Sequence, residues 1–440
     1  LDEFVNRFAT QLSEARSNFL QCRQCLKFTF EACGTLDQKG INLNFILARR
    51  LHPIVQDLIE KSMRRTVTQI VKKGGEMSKE KWLSKKLVVK ELDRGGGGKS
   101  GDGSEKRPAK REIKLTVSGI YLYNAVRTLL EADLVLVVDE KVLPYATLAL
   151  YGTVAKGIVN LLDSVITHQA KTATKLLKKE KEAQHLSILA NFQFLLADLL
   201  PRVSRSIATI FKRKQVSQVN VFESRLKELS KALLRSFCKR RAEVWLEILN
   251  WNPKNIAKIY SHPDAKAGEA SVPGDEKDDD SVQNLIVSDS FIRVLESMYA
   301  LMDNIATHLN KRATTHILGE SLECLMRQVA AADRIKGVVI TRRGLQHLYL
   351  DISFIMKATG GYLTETSLKY AKSLMKASRL QYCRRTKSEE STALNSRDFF
   401  DKKISEQLKV TKPLSAYVAV DRTEKKRKKN RRDNSPAATK

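Results

Sequence analysis

Two stretches carry residue types whose spacing suggests chemistry. The run Gly95-Gly96-Gly97-Gly98-Lys99-Ser100 closes on Gly-Lys-Ser, the end of a phosphate-cradling loop. Such a loop needs a glycine five positions before Gly98, and that position holds Asp93. It also needs a buried strand in front, and no clear one is visible, so the run is expected to be a flexible loop. Cys22-x-x-Cys25, with Cys33 and His52, suggests a zinc site. A structural zinc takes four converging ligands, commonly from two close pairs. The second pair is missing and the spacing lies within continuous helix, so free, buried or half-buried thiols are expected. His168, His185, His308, His316 and His347 lie in helical patterns with no Ser, Cys or paired carboxylate at a telling distance. They are read as helix-face or core histidines. With no nucleophile elbow and no dinucleotide loop, no catalytic residue, cofactor, metal or small-molecule substrate is expected.

The elements around these residues are helical. Leu43, Ile46, Leu47, Leu51, Ile54, Val55, Leu58 and Ile59 recur at spacings of three and four, which lines one helix face. The same pattern runs through Ile188, Leu189, Phe192, Leu195, Leu196, Leu199, Leu200 and Val203. It returns in Phe291, Val294, Leu295, Met298, Leu301, Met302 and Ile305. The one strand-like run, Leu134–Val138, is short and stands alone. The expected fold is therefore all-α, an elongated rod of stacked helical bundles.

Composition shifts suggest boundaries. An N-terminal helical bundle over 1–93, truncated at its start, is followed by a flexible Gly- and charge-rich loop over 94–112. A middle bundle over 113–260, an acidic disordered linker over 261–284 and a C-terminal bundle over 285–383 come next. A polar, basic, largely disordered tail over 384–440 closes the chain. The first residue is Leu1, already in a helical pattern, so the chain is expected to be the C-terminal part of a longer protein. No stretch of eighteen uninterrupted apolar residues appears, and no signal peptide opens it. Six irregularly placed cysteines fit reduced thiols.

The formal net charge of +29 favours acidic partners: anionic lipid, nucleic acid or an acidic protein surface. In the tail, Lys425, Lys426, Arg427, Lys428, Lys429, Arg431 and Arg432 are the candidate contact for an anionic partner. Three readings stand for them: attachment to anionic lipid, nuclear import or nucleic-acid binding, and a solvated terminus. Lys212-Arg213-Lys214 and Lys239-Arg240-Arg241 are read as solvated helix faces or ends, with a contact surface for acidic partners or lipid as the alternative.

Three segments resemble a known family in order and spacing. The first is His185–Arg202, carried by Leu189, Ala190, Asn191, Leu195, Ala197, Asp198, Leu200 and Pro201. The second is Leu233–Arg240, around Phe237-Cys238. The third is Gly344–Leu363, carried by Gly344, Leu345, Tyr349, Asp351, Phe354, Tyr362 and Leu363. Together they are similar to the C-terminal helical region of the plant-type exocyst subunit of the eighty-four class. The resemblance spans about 185–380. The Gly-rich insertion and the basic tail depart from that family's pattern.

Residue patterning alone also explains the last segment. Leu345, Leu348, Ile352 and Ile355 share one helical face, with Tyr349 and Phe354 at its flanks. Gly344 is expected to permit a sharp turn into the helix, and Gly360-Gly361 to stop it. Asp351 is expected to pair with a basic residue of a neighbouring helix. The resemblance implies a non-enzymatic subunit that assembles with other exocyst subunits and tethers secretory vesicles to the plasma membrane before SNARE-mediated fusion. It would be cytoplasmic and peripheral at the plasma membrane and vesicles. Two alternatives remain open: a basic helical scaffold associated with nucleic acid or the nucleus, and a subunit of a sibling Golgi tethering complex.

Overall fold

The computed structural model describes residues 19–76, 85–90, 110–137, 146–212, 217–261, 285–309, 311–331, 338–387 and 397–414, with isolated positions before residue 19. The fold is all-α in class, with one two-stranded ribbon among the described residues. The chain divides into two compact units, Leu1–Leu234 and Arg235–Lys440. The division falls inside a single helix and so cuts the middle bundle expected at 113–260.

The first unit contains α1 (Phe19–Asp37), α2 (Asn44–Glu76), β1 (Lys85–Lys90), β2 (Lys110–Leu115), α3 (Val117–Thr128), α4 (Ala146–Lys178), α5 (Glu182–Phe194) and α6 (Leu200–Ile210). A π turn at Leu129–Asp133 continues α3 into a further helical turn, Leu134–Val137. The apolar, β-branched run is helical over Leu134–Val137: continuation of an existing helix outweighs the β preference of its branched side chains. A second π turn, Leu195–Leu199, joins α5 to α6.

The α2–α4 contact forms the base of this core. The helix α2 buries Leu47, Leu51, Val55 and Ile59, the helix α4 buries Leu150, Val154, Ile158 and Leu162, and the two helices pack on each other. Gly157 lets α4 approach closely, since a Cβ there would collide with Met63 Sδ. The helix α5 is buried nearly all round, as an apolar central helix should be. By length and composition the run Glu182–Ile210 is apolar enough to cross a membrane. About two thirds of its apolar window is buried by the rest of the protein, which suits a core helix equally well.

In the second unit lie α8 (Pro253–Tyr260), α9 (Asp289–His308), α10 (Lys311–Val329), α11 (Arg342–Ala358), α12 (Glu365–Thr386) and α13 (Arg397–Thr411). The helix α7 (Ser217–Leu249) spans the division. Its C-terminal half buries Phe237 and Trp245, and the Trp245 indole donates to Ser297 Oγ at 3.2 Å. Polar caps set the helix starts. Asn252 Oδ1 accepts from Asn255 N with Pro253 at the first helical position, Thr341 Oγ1 accepts from Gly344 N, and Thr364 Oγ1 accepts from Ser367 N.

The stretch expected to be a disordered tail from 384 begins as helix. α12 runs on to Thr386, and α13 packs on α11. Phe400 and Ile404 are buried, the tilted rings of Tyr349 and Phe400 lie with centroids 6.1 Å apart, and Lys357 pairs with Asp401 at 2.8 Å. The apolar positions Phe400, Ile404 and Leu408 recur every four residues, enough to bury one face despite the surrounding charge.

Candidate functional site

The helix α11 is built around the face expected of it. Leu345, Leu348, Ile352 and Ile355 are buried, each contributing about 1.5–3 kcal/mol of apolar burial. Phe354 is also fully buried, rather than flanking. Asp351 lies in this apolar setting with no exposure at all. Its expected basic partner on a neighbouring helix is not what holds it. Tyr260 Oη donates to Asp351 Oδ2 at 2.8 Å, Ser288 N donates to Oδ1 at 2.8 Å, and Ser288 Oγ donates to Oδ2 at 2.6 Å. His347, one turn earlier on the same helix, places Nε2 3.8 Å from Asp351 Oδ2 and 3.2 Å from Ser288 Oγ.

The electrostatics follow from burial. Loss of water raises the Asp351 carboxyl above the usual carboxylate range, opposed by His347, Ser288 and Tyr260. The Tyr260 phenol is pushed well above its ordinary value by burial first and by the adjacent carboxyl second.

The sequence shows no Ser, Cys or paired carboxylate at a telling distance from His347; the fold brings Ser288 to it, beside Asp351 one turn along the same helix. The trio nevertheless lacks the geometry of a nucleophilic relay. A relay uses one ring nitrogen for the serine and the other for the acid. Here Nε2 faces both partners, and the serine hydroxyl donates directly to the carboxylate. What the arrangement does is fasten chain to chain: Ser288 is the N-cap of α9, Tyr260 ends α8, and both are tied to α11.

Gly344 has a different reason from the expected one. A Cβ there would collide with the Tyr260 carbonyl oxygen, which also accepts from Thr341 N at 3.2 Å. The glycine admits α8 against the start of α11. Gly360 and Gly361 form a 3-10 turn with Tyr362 after the helix has ended at Ala358, and neither adopts a positive φ. Tyr362 and Leu363 are half-buried, and the Tyr362 carbonyl oxygen lies against Gly319 of α10.

Asn191 plays a parallel part in the first unit. It is buried, accepts from Thr116 N at 3.1 Å and donates from Nδ2 to Thr116 Oγ1 at 2.7 Å. Thr116 in turn caps α3 through Gly119 N at 3.1 Å. A Cβ on Gly119 would come within 2.5 Å of Asn191 Oδ1. Of the other residues carrying the first resemblance, Leu189, Ala190, Leu195 and Leu200 are buried, Asp198 is half-buried, and Ala197 and Pro201 are exposed. The two resemblance helices therefore each carry one interior polar side chain that holds the start of another helix.

The remaining candidates divide between described and undescribed residues. Gly95–Ser100 lies outside the described residues. A strand, β1, precedes it in the chain. That strand pairs antiparallel with β2, Lys85 opposite Leu115 and Lys90 opposite Lys110. Cys22 and Cys33 are buried and Cys25 half-buried. Burial, then neighbouring Cys25, pushes the Cys22 thiol up to about 12. The basic run 425–432, the linker 262–284, and Arg213 and Lys214 lie outside the described residues. Lys239 is exposed, whereas Arg241 is buried, not solvated as expected of its cluster.

Sequence reasoning missed Thr116, Tyr260 and Ser288. The signal available for Ser288 was the pattern Ser288-Asp289-Ser290-Phe291, an N-cap with an acid in the first turn ahead of an apolar run. No family model matches the chain, and no curated protein matches it.

Proposed function

We propose that the chain is a non-enzymatic helical scaffold, a subunit of an exocyst-like tethering complex that holds secretory vesicles at the plasma membrane before fusion. One observation supports this reading above the others. The most distinctive residues of the resembling segments, Asn191, Gly344 and Asp351, are committed to packing and capping within the protein. A scaffold needs such residues to fix long helices against each other and leave their outer faces for partners. An enzyme would aim them at a cleft.

The test is a tagged full chain captured from a cytosolic extract of a secreting plant cell, with the bound proteins identified by mass spectrometry. Recovery of several exocyst subunits in constant proportion is expected. Recovery of Golgi tethering subunits, or of nucleic acid released by salt, would replace this reading.

A further inference from the structure

The outward face of α12 is strongly cationic. After Glu365 the segment to Lys387 has seven basic residues and no acidic one. Lys369, Lys372, Lys376, Leu380, Arg384 and Lys387 follow at spacings of three and four, so they form one line about 27 Å long. The opposite face, with Ala371, Leu374 and Met375, is buried against α10 and α11. Among the described residues no carboxylate pairs with Lys369, Lys372, Lys376, Arg384 or Lys387.

Beside the C-terminal half of this line lies a groove of about 600 Å³ between α12 and the extended segment 338–340. Its walls include Val339, Ala377, Leu380 and Tyr382, with Arg384 at the rim. Val339 is 54% exposed, a β-branched side chain held in water. The segment is fixed there: Gln381 Nε2 donates to the Val338 carbonyl at 2.8 Å, Arg385 donates to that of Ile340 at 3.1 Å, and Ser261 Oγ donates to that of Val339. The groove is thus preformed.

We propose that the cationic line of α12 and the apolar groove beside it form a docking site for an acidic peptide segment of a partner protein that carries an apolar anchor. Charge complementarity selects acid over base and speeds encounter, while the anchor slows release. A lipid surface is flat and would meet only the ridge of cations, leaving the groove unfilled. A nucleic-acid strand gains from stacking successive bases on aromatic rings, and beside this line of cations the groove offers one ring, Tyr382. The site does not rest on the tethering reading.

Binding of a fluorescein-labelled decamer, eight Asp and Glu residues around a central Leu-Phe pair, to the full chain tests the proposal by fluorescence anisotropy. A matched decamer carries Ser-Ser at its centre. The wild type is expected to prefer the Leu-Phe peptide, with an affinity that falls as salt is raised. Lys376→Glu with Arg384→Glu is expected to weaken it about tenfold or more. Lys171→Glu with Lys175→Glu, an equal charge change on exposed positions of the other unit, serves as control and is expected to have little effect. Val339→Ser is expected to abolish the preference for Leu-Phe at unchanged charge. The proposal is overturned if the two double variants behave alike or if both peptides bind equally. It is also overturned if the α12 variant loses only phosphatidylserine vesicles or a duplex RNA while keeping the peptide.

Discussion

Asp351 occupies a place where a carboxylate is costly, and its hydrogen bonds offset that cost. Truncation in Asp351→Ala would leave Tyr260 Oη and Ser288 N buried without their acceptor. The expected loss is about 3 kcal/mol or more, read from denaturant unfolding. Asp351→Asn keeps an acceptor for Ser288 N and is expected to fold with a much smaller loss. The pH dependence separates the two effects. A carboxyl whose folded-state pKa is raised stabilises fully below its unfolded value near 4 and loses that contribution as pH rises through the folded value. Asp351→Asn should therefore flatten the stability profile over that window, and an unchanged profile would contradict the assignment. His185 gives the opposite sign. Burial lowers its pKa, so its neutral form stabilises above about pH 6.5, and that stabilisation is lost as pH falls through the folded value. Thermal melts between pH 7.5 and 5 should show this loss in the wild type and a weaker one in His185→Gln. The sequence placed Asp351 beside an apolar face, but its partners Tyr260 and Ser288 are 91 and 63 residues away. No local pattern reaches that far, which is why a basic partner on the next helix was the natural expectation.

At the scale of elements, glycines separate two kinds of position that look alike in sequence. Gly344 lies under the Tyr260 carbonyl, so Gly344→Ala forces α8 and α11 apart and is expected to cost about 3 kcal/mol. Gly152, inside α4, has nothing near the place a Cβ would take. There Gly152→Ala is expected to stabilise by about 1 kcal/mol through helix propensity alone. Paired chemical-denaturation curves check both signs, and a destabilised Gly152→Ala would show that α4 is more crowded than its packing indicates. Helix existence was legible in these elements because the three-and-four spacing in α2, α5, α9 and α11 follows the buried face, with Ile46 of α2 the exposed exception. The β1–β2 ribbon was not legible. Its strands are short, rich in lysine and separated by the Gly-rich run, so neither alternation nor a tight turn announces it. The helix α13 was overlooked for another reason: average polarity over 384–440 hides the four-residue spacing of Phe400, Ile404 and Leu408.

Across the whole molecule, charge is the property that composition states most openly and the fold answers least. The formal net charge is +29. The ion pairs seen among the described residues are mainly helix neighbours four apart, such as Arg127–Glu131 and Lys61–Asp57, with exposed side chains. Pairs of this kind contribute about 0.3–0.5 kcal/mol each and are screened by salt. Repulsion among the surplus cations opposes the compact state and is screened too. With 78 basic against 49 acidic side chains, the repulsive sum outweighs the few local attractions. Added sodium chloride is therefore expected to raise the melting temperature. A gain of about 1 kcal/mol corresponds to a rise of about 2–4 °C for units of this size. Sodium sulfate at equal ionic strength should raise it further, because excluded salts also strengthen apolar burial. The effect should shrink in Lys369→Gln, Lys372→Gln and Lys376→Gln combined, since these three cations share one helix face and pair with no carboxylate among the described residues. A melting temperature that falls with sodium chloride would mean that local pairs, and not the surplus, govern the electrostatics of the fold.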